Sequence, residues 1–115
     1  MSYESAQVVV PSAAVTTSGT GGGFVVPGGS RLSVWVNATA AAGTPSVVLT
    51  LQWSMDGGDT WAVADPPDVF TAITGVGCVV KDFTRKGDRA RLVWAVTGGT
   101  PSLTFEARAQ MTAGA

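Results

Sequence analysis

Apolar and polar residues alternate with a period of two along four stretches of this chain. Leu32, Val34 and Val36 share one phase, with Arg31, Ser33, Trp35 and Asn37 on the other. Val47, Leu49, Leu51 and Trp53 alternate with Val48, Thr50 and Gln52, and Ala90, Leu92, Trp94 and Val96 with Arg91, Val93, Ala95 and Thr97. The cleanest run sets Leu103, Phe105, Ala107, Ala109 and Met111 against Ser102, Thr104, Glu106, Arg108 and Gln110. Side chains alternate sides along an extended backbone, so each run predicts a strand with one buried and one wetter face. Weaker strand patterns cover 7–15, 23–26, 61–64, 69–74 and 78–83.

Glycine, proline and short polar clusters separate these runs, at 18–23, 27–29, 42–45, 65–67, 75–77 and 98–101. Seven to nine short strands punctuated in this way predict a single all-β domain over 1–115, an antiparallel β-sandwich of jelly-roll or immunoglobulin-like type. Residues 1–15 read either as its first strand or as a docking arm. Ala38 to Ala42 is the one helix-friendly stretch, too short to stand alone. Gly43-Thr44-Pro45-Ser46 recurs as Gly99-Thr100-Pro101-Ser102, and both copies read as turns closing antiparallel hairpins.

Composition supports a packed core. Of 115 residues, 45% are hydrophobic and only 13% charged, with fifteen glycines and six prolines; disordered chains are charge-rich and poor in aromatics. The net charge of −1 does not suggest a general nucleic-acid or membrane-surface binder. Histidine is absent, which removes the commonest general base and metal ligand together. Cys78 has no second cysteine to bond. The Met1-Ser2-Tyr3-Glu4 start carries no basic region followed by an apolar block, so a cytosolically made, unexported protein is expected.

The sharpest local motif is Ser54-Met55-Asp56-Gly57-Gly58-Asp59-Thr60-Trp61, an Asp-box of the form S-x-D-x-G-x-T-W. An aspartate in a hairpin loop accepts backbone N–H bonds, Gly58 can take positive φ, Ser54 and Thr60 bridge the strand ends, and Trp61 folds back. The box is familiar from sialidase propellers, but here it occurs once and without an arginine cluster. It therefore reads as a structural hairpin clasp. Asp56, Asp59, Asp65 and Asp68 crowd the same region without calcium-loop spacing, and no metal or cofactor is expected. Lys81, Arg85, Lys86, Arg89 and Arg91 form a basic window, read as a solvated hairpin over 84–88 or as a patch for an acidic protein partner. No nucleophile stands beside a base, so no enzymatic activity is expected. Trp53 and Trp94 read as core; Trp35, on a polar phase, is loop-covered or part of an interface.

From about Arg31 to Phe105, an alternating strand, a Gly-Thr-Pro-Ser turn, the Leu51-Gln52-Trp53-Ser54 strand end, the Asp-box, the Arg91-Leu92-Val93-Trp94 strand and a second Gly-Thr-Pro-Ser turn follow in order. This resembles small β-sandwich virion proteins of tailed phages, of the head-decoration or tail type. The resemblance implies a virion protein made in the host bacterial cytoplasm. Its implied partners are the major capsid protein and copies of itself, commonly as a trimer, with no nucleic acid or membrane. Tyr3, Val8, Val10, Trp35, Arg85 and Lys86 are the candidate interface residues. A tail or baseplate component and a carbohydrate-binding module, the latter on the Asp-box hairpin and Trp35, are the alternatives.

Overall fold

Residues 7–113 of the computed structural model are described here. The chain forms strands β1 (Gln7–Val15), β2 (Gly19–Thr20), β3 (Phe24–Val25), β4 (Ser30–Ala42), β5 (Ser46–Ser54), β6 (Ala62–Val63), β7 (Gly77–Thr84), β8 (Arg89–Thr97) and β9 (Ser102–Ala113). Sheet A has the order β1-β9-β4-β7, and sheet B the order β2-β8-β5-β6 with β3 also on β8. All pairings are antiparallel.

The apolar phases of the four clear runs supply the core. Leu32, Val34 and Val36 of β4 and Leu103, Phe105, Ala107 and Ala109 of β9 face Val47, Leu49, Leu51 and Trp53 of β5 and Ala90 and Leu92 of β8, all buried. Trp94 closes one end of this layer, edge-on to Phe105 with ring centroids 5.7 Å apart. At the other end Phe70 meets Phe83 in the same way.

β2 and β3 both pair with β8, at Trp94 and Val93 and then at Ala90 and Arg89. Between them the Gly21 N–H donates to the Leu92 carbonyl at 2.7 Å. They are two halves of one interrupted strand. Counted so, the order matches a jelly roll, two Greek keys folded into facing sheets. An immunoglobulin-like sandwich sets several consecutive strands side by side in one sheet; here only β5 and β6 are such neighbours.

This topology corrects two expectations. Neither Gly-Thr-Pro-Ser segment closes a hairpin: 43–45 carries the chain from β4 in sheet A to β5 in sheet B, and 98–101 carries it back from β8 to β9. The two crossovers lie side by side. The Thr44 N–H donates to the Gly99 carbonyl at 3.0 Å, and the Gly99 N–H to Thr44 Oγ1 at 2.8 Å. The repeated motif thus builds one clasp at one end of the sandwich. Residues 84–88 likewise join β7 of sheet A to β8 of sheet B and are not a hairpin. Ala38 to Ala42, too short for a helix of its own, continues β4 and pairs with β9 through a bulge between Ala38 and Ala40. Alanine's low strand propensity is overridden here by pairing with β9.

Of the weaker strands, 69–74 forms only isolated bridges, Val47 to Ile73 and Thr50 to Val69. These still cover the free edge of β5. Residues 7–15 are β1 of the protein's own sheet A, paired with β9 from Gln7 opposite Ala109 to Val15 opposite Leu103. The arm reading therefore retains only 1–6, which with Tyr3 lie outside the described residues.

Candidate functional site

The Asp-box closes the β5–β6 hairpin, in which Gln52 pairs with Val63 and Trp53 with Ala62. Ser54 is buried, and its hydroxyl donates to Asp56 Oδ1 at 2.8 Å while accepting from the Gly58 N–H at 2.9 Å. The Thr60 N–H donates to Asp56 Oδ1 at 2.8 Å, and the Trp61 ring N–H to the Gly58 carbonyl at 3.0 Å. Gly58 has φ of 101°, a conformation that needs glycine. The Arg91 guanidinium stacks over Trp61, 4.4 Å from the ring centroid. The five motif residues meet in one self-contained loop.

The Thr60 backbone N–H, then the Thr60 and Ser54 hydroxyls, hold the Asp56 carboxyl below its ordinary value of 3.8. A folded-state value depressed in this way adds stability that is fully present above the unfolded-state value and lost as pH falls through the folded one. Acid titration of the unfolding midpoint is therefore expected to show a loss beginning near pH 4 and completed at lower pH, and Asp56→Asn should remove that component. Equal acid sensitivity in both proteins would contradict the clasp. Ser54→Ala, which leaves the Gly58 N–H without its acceptor, should cost about 2 kcal/mol in urea unfolding.

The basic window does not make a patch. Lys81 Nζ donates to the Val69 carbonyl at 2.6 Å, and Arg85 Nε to the Val26 carbonyl at 2.9 Å. Lys86 pairs with Asp68 at 2.9 Å and lies over the Trp53 ring, and Arg91 Nε donates to Gln52 Oε1 at 2.8 Å. These contacts hold neighbouring loops and strands of this chain together. Among the aspartates, Asp68 is spent on Lys86 and on the Trp53 ring N–H at 2.8 Å. No group of three potential metal ligands converges among the described residues. A hollow of about 500 Å³ between the Asp-box and 62–65 is lined by Trp53, Met55, Asp56, Thr60, Val63 and Lys86, among others. Asp56 there is already held by the Asp-box loop, and Lys86 by Asp68.

The outer face of sheet A is different. Trp35 stands opposite Val80 on one side and Arg108 on the other, and Arg108 stands opposite Val8. One row thus runs Val80, Trp35, Arg108, Val8 across all four strands. Val80 is 62% exposed and Val8 47%, while Trp35 is half-buried. Arg108 donates to Glu106 at 2.7 Å, with its guanidinium 5.7 Å from the Trp35 ring centroid. The next row places Ser33 opposite Asp82 and Gln110, with the Ser33 hydroxyl bonded to Asp82 at 2.6 Å. Ser33, Trp35, Val80, Arg108 and Gln110 line a hollow of about 370 Å³.

Of the sequence-derived interface residues, Val8 and Trp35 are brought together on this face. Val10 is 7% exposed and belongs to the core; a register shift between Val8 and Val10 turns Val10 inward. Val80 and Arg108 were not singled out from sequence. Their signal, opposite phases on two distant strands, becomes meaningful only once those strands flank β4. No family model, curated protein or solved structure matches this chain.

Proposed function

We propose that this protein is a virion structural protein of a tailed phage, a capsid decoration module that docks on the outer head lattice through the outer face of sheet A. The observation that carries the reading is the uncovered row Val80, Trp35, Arg108, Val8. A half-buried tryptophan flanked by exposed valines and an arginine has the composition of an interface centre, where Trp and Arg anchors dominate binding energy. The jelly-roll topology fits this setting, since viral capsid proteins use it, although a fold alone does not assign a function. The major capsid protein is the partner, together with copies of this chain. Each contact is modest, and repetition over the lattice multiplies them. No catalytic step is proposed.

The test mixes purified protein with undecorated capsids and measures co-sedimentation and the temperature of particle disruption. Binding at fixed stoichiometry with a raised disruption temperature is expected. Trp35→Ala should weaken binding by about thirtyfold, the loss of one hot-spot side chain, with unchanged fold. Protein that ignores heads but binds tails supports the tail or baseplate alternative and ends the decoration reading.

A second reading, a carbohydrate-binding module, is favoured by the hollow beside Trp35, where an aromatic ring adjoins the polar groups of Ser33, Arg108 and Gln110. Lectin domains also use the jelly roll. Saturable glycan binding without capsid binding would select it.

A further inference from the structure

β7 is the long strand of this sandwich with an open edge. It pairs with β4 through Gly77 to Thr84, and among the described residues nothing pairs with its other side. The remaining edges are blunted. Sheet B ends in the two-residue strands β2, β3 and β6, and β1 carries Pro11 and two register shifts. Proteins protect edges with short strands, bulges, prolines and charges, and an edge lacking these devices is a pairing site.

The two charges on β7 do not protect it. Lys81 reaches back to the Val69 carbonyl at 2.6 Å, and Asp82 accepts from the Ser33 hydroxyl at 2.6 Å on the neighbouring strand. Both stay exposed, Asp82 on the outer face, but each is tied to a neighbour within its own chain. Beside these charges the strand and its approach expose a run of valines: Val76 is 69% exposed, Val79 43% and Val80 62%.

We infer that β7 pairs with β7 of a second copy of this chain, antiparallel about a two-fold axis at Val80, joining the two A sheets into one eight-stranded sheet. The register follows from symmetry and charge. An axis normal to the sheet keeps both outer faces on one side, and directly opposite residues share a face, so the axis must pass beside a residue rather than between two. Axes at Lys81 or Asp82 set identical charges against each other. Axes at Val79 or Cys78 shorten the overlap within Gly77–Thr84. The axis at Val80 pairs Gly77 through Phe83, with Val79 opposite Lys81 and Cys78 opposite Asp82, and no like charges meet. The row on the outer face then runs unbroken from Val8 of one copy to Val8 of the other. The pairing does not depend on the decoration reading, because it is measured without capsids.

The experiment is sedimentation equilibrium and light scattering of the isolated protein up to about 200 μM, where mass action favours assembly. Expected is twice the 11.6 kDa chain mass. Val80→Asp sets two carboxylates face to face on the axis and should weaken the dimer by about a hundredfold, leaving the circular dichroism unchanged. In a Cys78→Ser background, Val80→Cys should form an intermolecular disulfide on mild oxidation, since opposite positions of an antiparallel pair lie within bridging distance. Val63→Cys, exposed but on sheet B, is the control and should not. A wild-type protein that stays at chain mass, one that assembles as a trimer, or cross-linking no faster at 80 than at 63 would each overturn the inference.

Discussion

Gly98→Ala is expected to lower the stability of the sandwich by about 4 kcal/mol, a large part of what a domain of this size has to lose. Gly98 has φ of 115°, where an L side chain is strained. A Cβ at this position would also overlap the Thr44 carbonyl oxygen on the neighbouring crossover. Gly43 is placed reciprocally, with φ of 70° and the Thr100 carbonyl against it. The clasp admits no side chain from either strand of chain, and backbone has nowhere to retreat without breaking the Thr44 to Gly99 hydrogen bonds. Urea unfolding would read the effect as a shifted midpoint at constant slope. Gly28→Ala, where nothing lies within 4 Å, should stay within about 0.5 kcal/mol of wild type. Equal midpoints for the two variants would mean that the crossovers do not touch.

Phe105→Ala should cost a similar amount, about 4 kcal/mol, by a different route. Phe105 is 1% exposed on β9, the strand between β1 and β4. It reaches across the sandwich to the edge of Trp94 at an interplanar angle of 83°, so its removal leaves a cavity between the sheets. Phe105→Leu should recover more than half of the loss, because the residual void is smaller. Near-ultraviolet circular dichroism adds a local readout. Trp94 should lose part of its fixed-environment signal in the alanine variant while the far-ultraviolet spectrum keeps its β character. A midpoint unchanged from wild type would place Phe105 outside the core.

Much of this molecule was legible in its residues. The inward phases of β4, β5, β8 and β9 match the buried side chains, because alternation reports burial directly. The Asp-box was legible because its hydrogen bonds all fall between Ser54 and Trp61. The crossovers were not. Glycine and proline mark a change of direction, yet whether the next strand joins the same sheet or the facing one depends on which faces are buried together. Period-two alternation is the same in either case. The basic window misled for the same reason: the chain passes from sheet A to sheet B within it, leaving Lys81 on one and Arg91 on the other. For Trp35, its phase beside Ser33 and Asn37 already placed it outward. Its company on that face, Val80 and Arg108, comes from strands that only the three-dimensional order makes neighbours.

The strand order also sets a timetable. In sheet A, β9 lies between β1 and β4, so among the described strands β1 finds its pairing partner in β9, eight elements later. During synthesis β1 must wait, extended or loosely collapsed, until nearly the whole domain has left the ribosome. Pairing over such sequence separation is slow. A nascent chain stalled before Ser102 would hold β5 and β8, which can pair without β9, but could not complete sheet A. Sheet A therefore closes only once β9 has emerged, and until then the apolar strands of this domain need shielding from those of other copies.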